Sequence, residues 1–197
     1  MKSVKAIFFF SIALLFTTVN SFSKDPSLLI NEIVNEASAI LSSQDPVEAK
    51  IIKLNNLAEI NVDINGIALY ALGKHRKTIS SNDKVKYLKL FRSYFLKTFS
   101  SRLVDYSDPK INIVDQKFLN KNYTIVNTKL EATKKNPEIN ISWRIYTKDP
   151  DRPLIRDLII EGLSLARAQK EEFNSIIQNN DGNIDALFKK LEEFIIK

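Results

Sequence analysis

The chain has 197 residues, of which 44% are hydrophobic and 26% charged, and its formal net charge is +6. This composition is typical of a globular protein with one domain's worth of core, and it argues against disorder. The chain has no cysteine, which excludes a disulfide and a lipoprotein anchor, and its single histidine leaves no zinc site of the usual ligand set.

Residues 1–23 have the pattern of a secretory signal peptide. Two lysines precede an apolar run from Ala6 to Phe16, and Ser21 and Ser23 are small residues placed for cleavage. A membrane anchor is the alternative, but a spanning helix needs ~20 apolar residues and this run is shorter. We therefore expect export to a bacterial periplasm and a mature domain over residues 24–197, with the formal charge reduced from +6 to +4 by loss of the two lysines. The remaining lysines are scattered, and no nucleic-acid partner is expected.

Helices are predicted in the first half of the mature chain. Apolar residues at helical spacing follow Pro26, Pro46 opens a second helix, and Asp63 caps a third helix that ends at Gly73. The longest helix is expected from about Lys84 to Leu103. Its apolar stripe is unusually bulky and consists of Val85, Leu88, Phe91, Phe95, Phe99 and Leu103.

Strands are predicted next, followed by two more helices. Ile139–Tyr146 has the clearest alternation of apolar and polar residues, as in a half-buried antiparallel strand. A strand from Leu154 to Glu161 ends before Gly162, where the chain can bend, and Ser164 then caps a helix. Helices beside a meander of strands predict an α+β fold, with helices on one face of a curved, mostly antiparallel sheet of four strands.

An enzyme is disfavoured by the residues that are absent. The only histidine, His75, lies between two cations, and the chain has no Gly-x-Ser-x-Gly elbow and only four glycines. Ser164 is better explained as a helix cap than as a nucleophile. Asp157 and Glu161 would be ~13 Å apart in a strand, too far to share a proton. Asp157 is therefore expected at a strand edge beside a basic partner such as Arg144 or Arg152.

A binding protein is favoured by the amount of bulky apolar surface on the long helix and on the predicted sheet. A cavity between helices and a concave sheet is a common site for an apolar ligand. The same residues could instead fill a solid core, and composition does not distinguish the two alternatives.

Three blocks, in order along the chain, resemble the MlaC/Ttg2D family of toluene-tolerance proteins. The first is Asp63–Lys74, with the pattern Asp-x-x-x-(apolar)-Ala-x-x-x-Leu-Gly, and the second is the Phe-rich helix to Leu103 with Tyr106 behind it. The third is Asp157–Leu165, an Asp-x-x-(Ile/Val)-Glu-Gly-x-Ser-Leu strand exit followed by Phe173. The residues that match these motifs, to which we assign structural roles, are Asp63, Gly73, Asp157, Glu161, Gly162, Ser164 and Phe173.

The resemblance implies an NTF2-like fold that encloses an apolar pocket, and a periplasmic phospholipid-binding shuttle without covalent chemistry, metal or cofactor. Its cargo would be a phospholipid with buried acyl tails. Its expected partners are an inner-membrane MCE/ABC permease complex and an outer-membrane lipoprotein complex, and a monomer is expected. The alternatives are a scaffold domain with a solid core and a hydrolase with paired carboxylates in the pocket. We also predict which residues contact the acyl tails, judging by the face on which each residue lies and by the size of its side chain, and not by the motifs. These residues are Leu69, Leu72, Phe91, Phe95, Val126, Ile141, Trp143 and Ile160.

Overall fold

The computed structural model describes residues 24–106, 109–133 and 137–197, so the predicted signal peptide lies outside the described residues. The α-helices in these ranges are α1 (Pro26–Ser42), α2 (Val47–Asn61), α3 (Ile64–Ala71), α4 (Ser81–Leu103), α5 (Leu165–Gln178) and α6 (Asp185–Ile196). The strands are β1 (Ile111–Asn120), β2 (Tyr123–Leu130), β3 (Ile139–Tyr146), β4 (Leu154–Ile160) and β5 (Leu163–Ser164). A 3-10 turn, Gly73–Lys77, follows α3. Within the described residues, no helix is both long and apolar enough to cross a membrane.

The sheet is an antiparallel meander in the order β1-β2-β3-β4-β5, which confirms the predicted α+β class. The predicted count of four strands misses β5. Glu161 and Gly162 have φ values of 48° and 82°, so the chain reverses tightly there and Leu163 pairs back onto Ile160. Only glycine adopts such a φ without a steric penalty, which is the reason for Gly162 at this turn.

Four of the described helices begin with a side-chain cap, and the first is Asp25, which accepts from Ser27 N and Leu28 N at the start of α1. Helix α4 begins at Ser81, three residues before the predicted Lys84. The Asp63 carboxylate accepts from Gly66 N at the start of α3, and Ser80 and Ser164 cap α4 and α5 in the same way. Helix α3 ends at Ala71, two residues before the predicted end, and Gly73 follows with a φ of 59°. A glycine in this conformation just after a helix is the usual way to end it.

Two hydrophobic cores lie side by side. The helical core is built from α3, α4, α5 and α6, and its buried residues are Ile64, Ile67, Ala68, Ala71, Leu72, Tyr87, Phe91, Ala166, Phe173, Ile177, Leu187, Phe188 and Leu191. The sheet core lies between α1, α2 and the sheet, and its buried residues are Leu29, Ile30, Ile33, Val34, Ile40, Leu41, Leu54, Leu57, Val126, Ile145 and Ile155. Each core buries the apolar face of its helices, as the amphipathic patterns predict.

Helix α4 joins the two cores through a ladder of stacked rings. Phe91 is buried in the helical core, Phe95 borders that core, and Phe99 borders the sheet core. The ring centroids of Phe91 and Phe95 are 6.3 Å apart, and those of Phe95 and Phe99 are 6.0 Å apart with planes inclined by only 7°. The predicted bulky stripe of the long helix therefore spans the boundary between the two cores.

Candidate functional site

The inner face of the sheet is packed on β2, β3 and β4 at the end where β4 begins. Thr124, Ile145 and Ile155 lie opposite one another on β2, β3 and β4, and all three are buried. Ile145 has no exposed surface. Ile145 and Ile155 belong to the sheet core, so this part of the face is close-packed.

The same face becomes less buried toward the other end of the strands. Four residues there, Thr128, Ile141, Ile160 and Leu163, form a cross-strand row from β2 to β5. Thr128 is 2% exposed, Ile141 and Ile160 are half-buried, and Leu163 is 60% exposed. Directly paired residues point to the same side of a sheet, so this row is an apolar surface that opens toward the β5 edge.

Trp143 lies between the packed end and the open end of the inner face. It is half-buried, and its cross-strand neighbours are Val126 and Leu158. The indole Nε1 donates to Thr128 Oγ1 over 2.8 Å, and that hydroxyl donates to the carbonyl of Ile141 over 3.1 Å. Because the polar atom of the indole is satisfied inside the sheet, the ring can contact an apolar ligand without losing a hydrogen bond.

The eight predicted tail-contact residues fall into three environments. Leu72, Phe91 and Val126 are fully buried inside the two cores, and Phe95 and Trp143 border them. The remaining three, Leu69, Ile141 and Ile160, are half-buried and belong to neither core. The structure brings Ile141, Trp143 and Ile160 together on one face of the sheet, whereas Leu69 lies on α3 and Leu72 directly follows that helix. Contact of these residues with acyl chains stays a prediction.

Two clefts open near the start of β4, at the packed end of the sheet. Their volumes are about 230 Å³ and about 400 Å³, and both are lined by Glu59, Arg152 and Leu154. The smaller cleft also contains Asp63 and Arg92, and Arg92 pairs with Glu59 at 2.6 Å. Neither cleft contains any of the eight predicted tail-contact residues. Charged groups line both clefts, so they do not suit acyl chains.

Asp157 lies on β4 opposite Arg144, one of the two basic partners expected from the sequence, and it is part of the frame of the fold. It is 4% exposed, and its basic partner is Arg144, whose Nη1 lies 3.2 Å from Oδ2. Ser164 Oγ also donates to Oδ2 over 2.7 Å, and Ala166 N donates to Oδ1 over 3.0 Å. A buried carboxylate needs such partners, and here they fix the start of α5 against β4.

The other motif residues also have structural contacts. Glu161 accepts from the backbone and side-chain amides of Asn140, which hold it at the turn just after β4. Phe173 is 2% exposed and meets the rings of Phe91 and Tyr87 edge-on at 6.0 Å and 6.5 Å. Such contacts favour a role in packing. In the described part of the chain, no group of three or more histidine, aspartate or glutamate side chains could hold a metal ion.

The sequence reasoning missed a cluster around Arg156. This residue is the extra residue of a bulge in β4, between the pairs Arg144–Asp157 and Ile145–Ile155. Its guanidinium pairs with Asp63, donates to Tyr123 Oη over 3.0 Å, and stacks on Tyr146 at 3.7 Å from the ring centroid. Burial lowers the pKa of Arg156, but the bonds to Tyr123 and Asp63 outweigh it and raise the pKa overall. The alternation of apolar and polar residues does not by itself show that β4 contains a bulge.

The comparison with family models gives a match over residues 31–193 to the model described as MlaC protein. This chain belongs to the MlaC family. The match covers most of the sequence and includes all three blocks on which the resemblance was based. No curated protein matches the chain significantly.

A solved structure supports the fold of this MlaC-family chain. It is the phospholipid-binding protein from Ralstonia solanacearum, determined in complex with a phospholipid. The two proteins share 16% sequence identity and superpose with a TM-score of 0.74, over 88% of this chain and 98% of the Ralstonia chain. At this identity the similarity establishes the fold.

Proposed function

We propose that this MlaC-family protein is a periplasmic phospholipid carrier whose cargo enters at the open end of the inner sheet face. The acyl chains would lie against Ile141, Trp143 and Ile160, between the sheet and the ring ladder of α4. The carrier would exchange lipid with an inner-membrane MCE/ABC permease complex and an outer-membrane lipoprotein complex, without covalent chemistry.

One observation carries this proposal. Ile141 and Ile160 are large apolar residues on the core-facing side of a sheet, yet they are half-buried and belong to neither core. Burial of apolar surface contributes ~25 cal/mol per Å², so leaving such residues incompletely packed is unfavourable unless a ligand covers them. Family membership and the phospholipid seen in the Ralstonia structure favour a lipid as that ligand.

The energetics also favour a carrier that needs a partner for release. Each buried methylene contributes ~0.8 kcal/mol, so two acyl chains bind with high affinity. The affinity of the lipid for an unchanged pocket is fixed. Release therefore requires a partner that opens the pocket or competes with it for the lipid. The expected membrane complexes would supply that function.

The test is native mass spectrometry and lipid extraction of the protein after export from cells, followed by transfer from phospholipid liposomes. We expect co-purified phospholipid at one fixed stoichiometry, and uptake from liposomes by protein stripped of lipid. Protein that emerges lipid-free under gentle conditions, and that takes no lipid from liposomes, would overturn the proposal. That result would favour a scaffold domain with a solid core.

A further inference from the structure

The two edges of the sheet differ in how they are protected. β5 forms one edge with only two residues, and α5 begins directly after it. β1 forms the other edge with ten residues, and in the described part of the chain it pairs only with β2. A long unpaired edge presents a row of free backbone groups to any extended chain, so β1 is the place where another strand can add.

The exposed residues of β1 include large apolar side chains. Phe118 is 70% exposed and Val114 is 55% exposed, and Ile113 and Leu119 are also exposed. On the inner side of β1, Ser27 Oγ of α1 donates to Gln116 Oε1 over 2.8 Å, and Ile111 packs against the sheet core. Proteins normally cover an apolar edge of this kind or place charged residues on it. β1 carries charges of both signs, on Asp115 and Lys117.

The sequence of β1 is complementary to itself when read antiparallel. If two copies pair with Gln116 opposite Gln116, Asp115 of each strand lies opposite Lys117 of the other. Continued through the irregularities at Val114 and Leu119, the same register brings Val114 near Phe118 and Ile113 near Leu119. Opposite charges and apolar pairs directly across from each other stabilise strand pairing, whereas like charges in these places oppose it.

The structure supports this register at its centre. Between the irregularities at Val114 and Leu119, β1 is regular from Asp115 to Phe118. Asp115 and Lys117 pair with Asn127 and Ile125 of β2, which are two residues apart, so both charges lie on the same outer face. Asn127 Nδ2 donates to Asp115 Oδ1 over 2.6 Å, which holds this carboxylate in place beside the free edge.

From these observations we infer that β1 is a homodimer interface, in which two copies join edge to edge and extend the sheet across both molecules. This departs from the monomer expected from the family resemblance. The bulges at both ends limit the regular pairing to a few residues, and such a short interface gives a weak dimer that depends on concentration.

The experiment uses charge reversal at the two central positions, with association measured by sedimentation equilibrium of the exported protein from about 10 µM to 1 mM. Lys117→Asp places aspartate opposite Asp115, and Asp115→Lys places lysine opposite Lys117. Each single variant should weaken dimerisation at least about tenfold, since two attractive pairs become repulsive. An equimolar mixture of the two variants should form a heterodimer, and the double variant should dimerise like the original protein.

The control is Lys148→Asp, the same charge change on an exposed residue of the β3–β4 turn, and it should leave dimerisation unchanged. A single monomeric species up to 1 mM would overturn the inference. The β1 edge would then be a site for an extended segment of another protein. A dimer that ignores both charge reversals would also overturn it, because the interface would then lie elsewhere. Circular dichroism melting of each variant separates these outcomes from a loss of folding.

Discussion

Arg156 of β4 and Asp63 at the start of α3 form an ion pair, with Arg156 Nε donating to Asp63 Oδ2 over 2.6 Å across 93 residues of sequence. Asp63 also caps α3 through Gly66 N, and Asp63 N donates to the carbonyl of Ile155 over 2.9 Å. One carboxylate therefore connects a helix of the helical core to a strand of the sheet core. The β4 bulge is what brings the guanidinium to it.

Substitution of Gly66 should break this connection. A Cβ at position 66 would lie 2.3 Å from Asp63 Oδ2 and 3.0 Å from Arg156 Nε, so Gly66→Ala must displace both members of the pair. We expect a loss of about 1–3 kcal/mol in the free energy of unfolding, measured by urea denaturation, although alanine is the better helix former. Asn65→Ala, at an exposed position of the same helix, is the matched control and should not destabilise. Equal stability of the two variants would contradict this role of the pair.

Asp157 should be among the residues most sensitive to loss of charge. In Asp157→Asn, Arg144 loses its carboxylate partner. The new side-chain amide has one oxygen, so it cannot accept hydrogen bonds from both Ser164 and Ala166 as the two carboxylate oxygens do. Breaking a buried pair by neutralising one partner costs about 3–5 kcal/mol, and the partial exposure of Arg144 places the expected loss near the lower end. Asp105→Asn, at an exposed site beyond α4, serves as the control. A destabilisation below about 1 kcal/mol in guanidinium unfolding would show that Asp157 is not needed as a charge.

Alkaline conditions should destabilise the helical core through Tyr87. This side chain is fully buried and donates to the carbonyl of Ala68 over 2.8 Å, and burial raises its pKa well above the ordinary value of 10.0. The raised pKa means that the neutral form is favoured in the folded state. The resulting stability is complete below about pH 10, the pKa of tyrosine in the unfolded chain, and is lost as the pH rises further, by up to ~1.4 kcal/mol per pH unit.

Tyr87→Phe is the variant that tests this pH dependence. It should be less stable by about 1 kcal/mol at pH 7, because the hydrogen bond to Ala68 is lost, and its stability should fall less steeply above pH 10. Burial also raises the pKa of Tyr94, so some alkaline dependence should remain. Parallel curves of unfolding free energy against pH for the two proteins would contradict the assignment to Tyr87.

A carboxylate on the open part of the sheet should prevent lipid binding. Ile141→Glu places a charge among half-buried apolar residues beside Ile160, where an acyl chain would have to desolvate it. We expect at least about a tenfold loss of bound phospholipid, with the fold retained because residue 141 lies outside both cores. Ile52→Glu, on an exposed face of α2, is the control for charge and should retain its lipid. Lipid content can be measured by extraction and mass spectrometry, and undiminished lipid in Ile141→Glu would place the acyl chains elsewhere.

Local signals in the sequence were sufficient for the helices, for four of the five strands and for the motif residues. Asp63 and Ser164 cap helices where the pattern places them, and the alternation of Ile139–Tyr146 predicts a strand with one apolar face. These features depend on neighbours a few residues away, which the sequence displays directly. The family blocks likewise lie within the matched range 31–193.

Local sequence patterns do not show which distant segments come into contact. Periodicity marks Phe91, Val126 and Ile141 equally as apolar and inward-facing, but the tertiary structure buries the first two inside cores and leaves Ile141 half-buried at an open edge. The bulge that aims Arg156 at Asp63 is likewise invisible in an alternation rule, because it adds one residue to a strand without changing its composition. The sequence by itself determined the α+β class, the family and the absence of the usual catalytic residues. The tertiary structure alone decided where the apolar surface stays open, because packing depends on which segments meet across the fold.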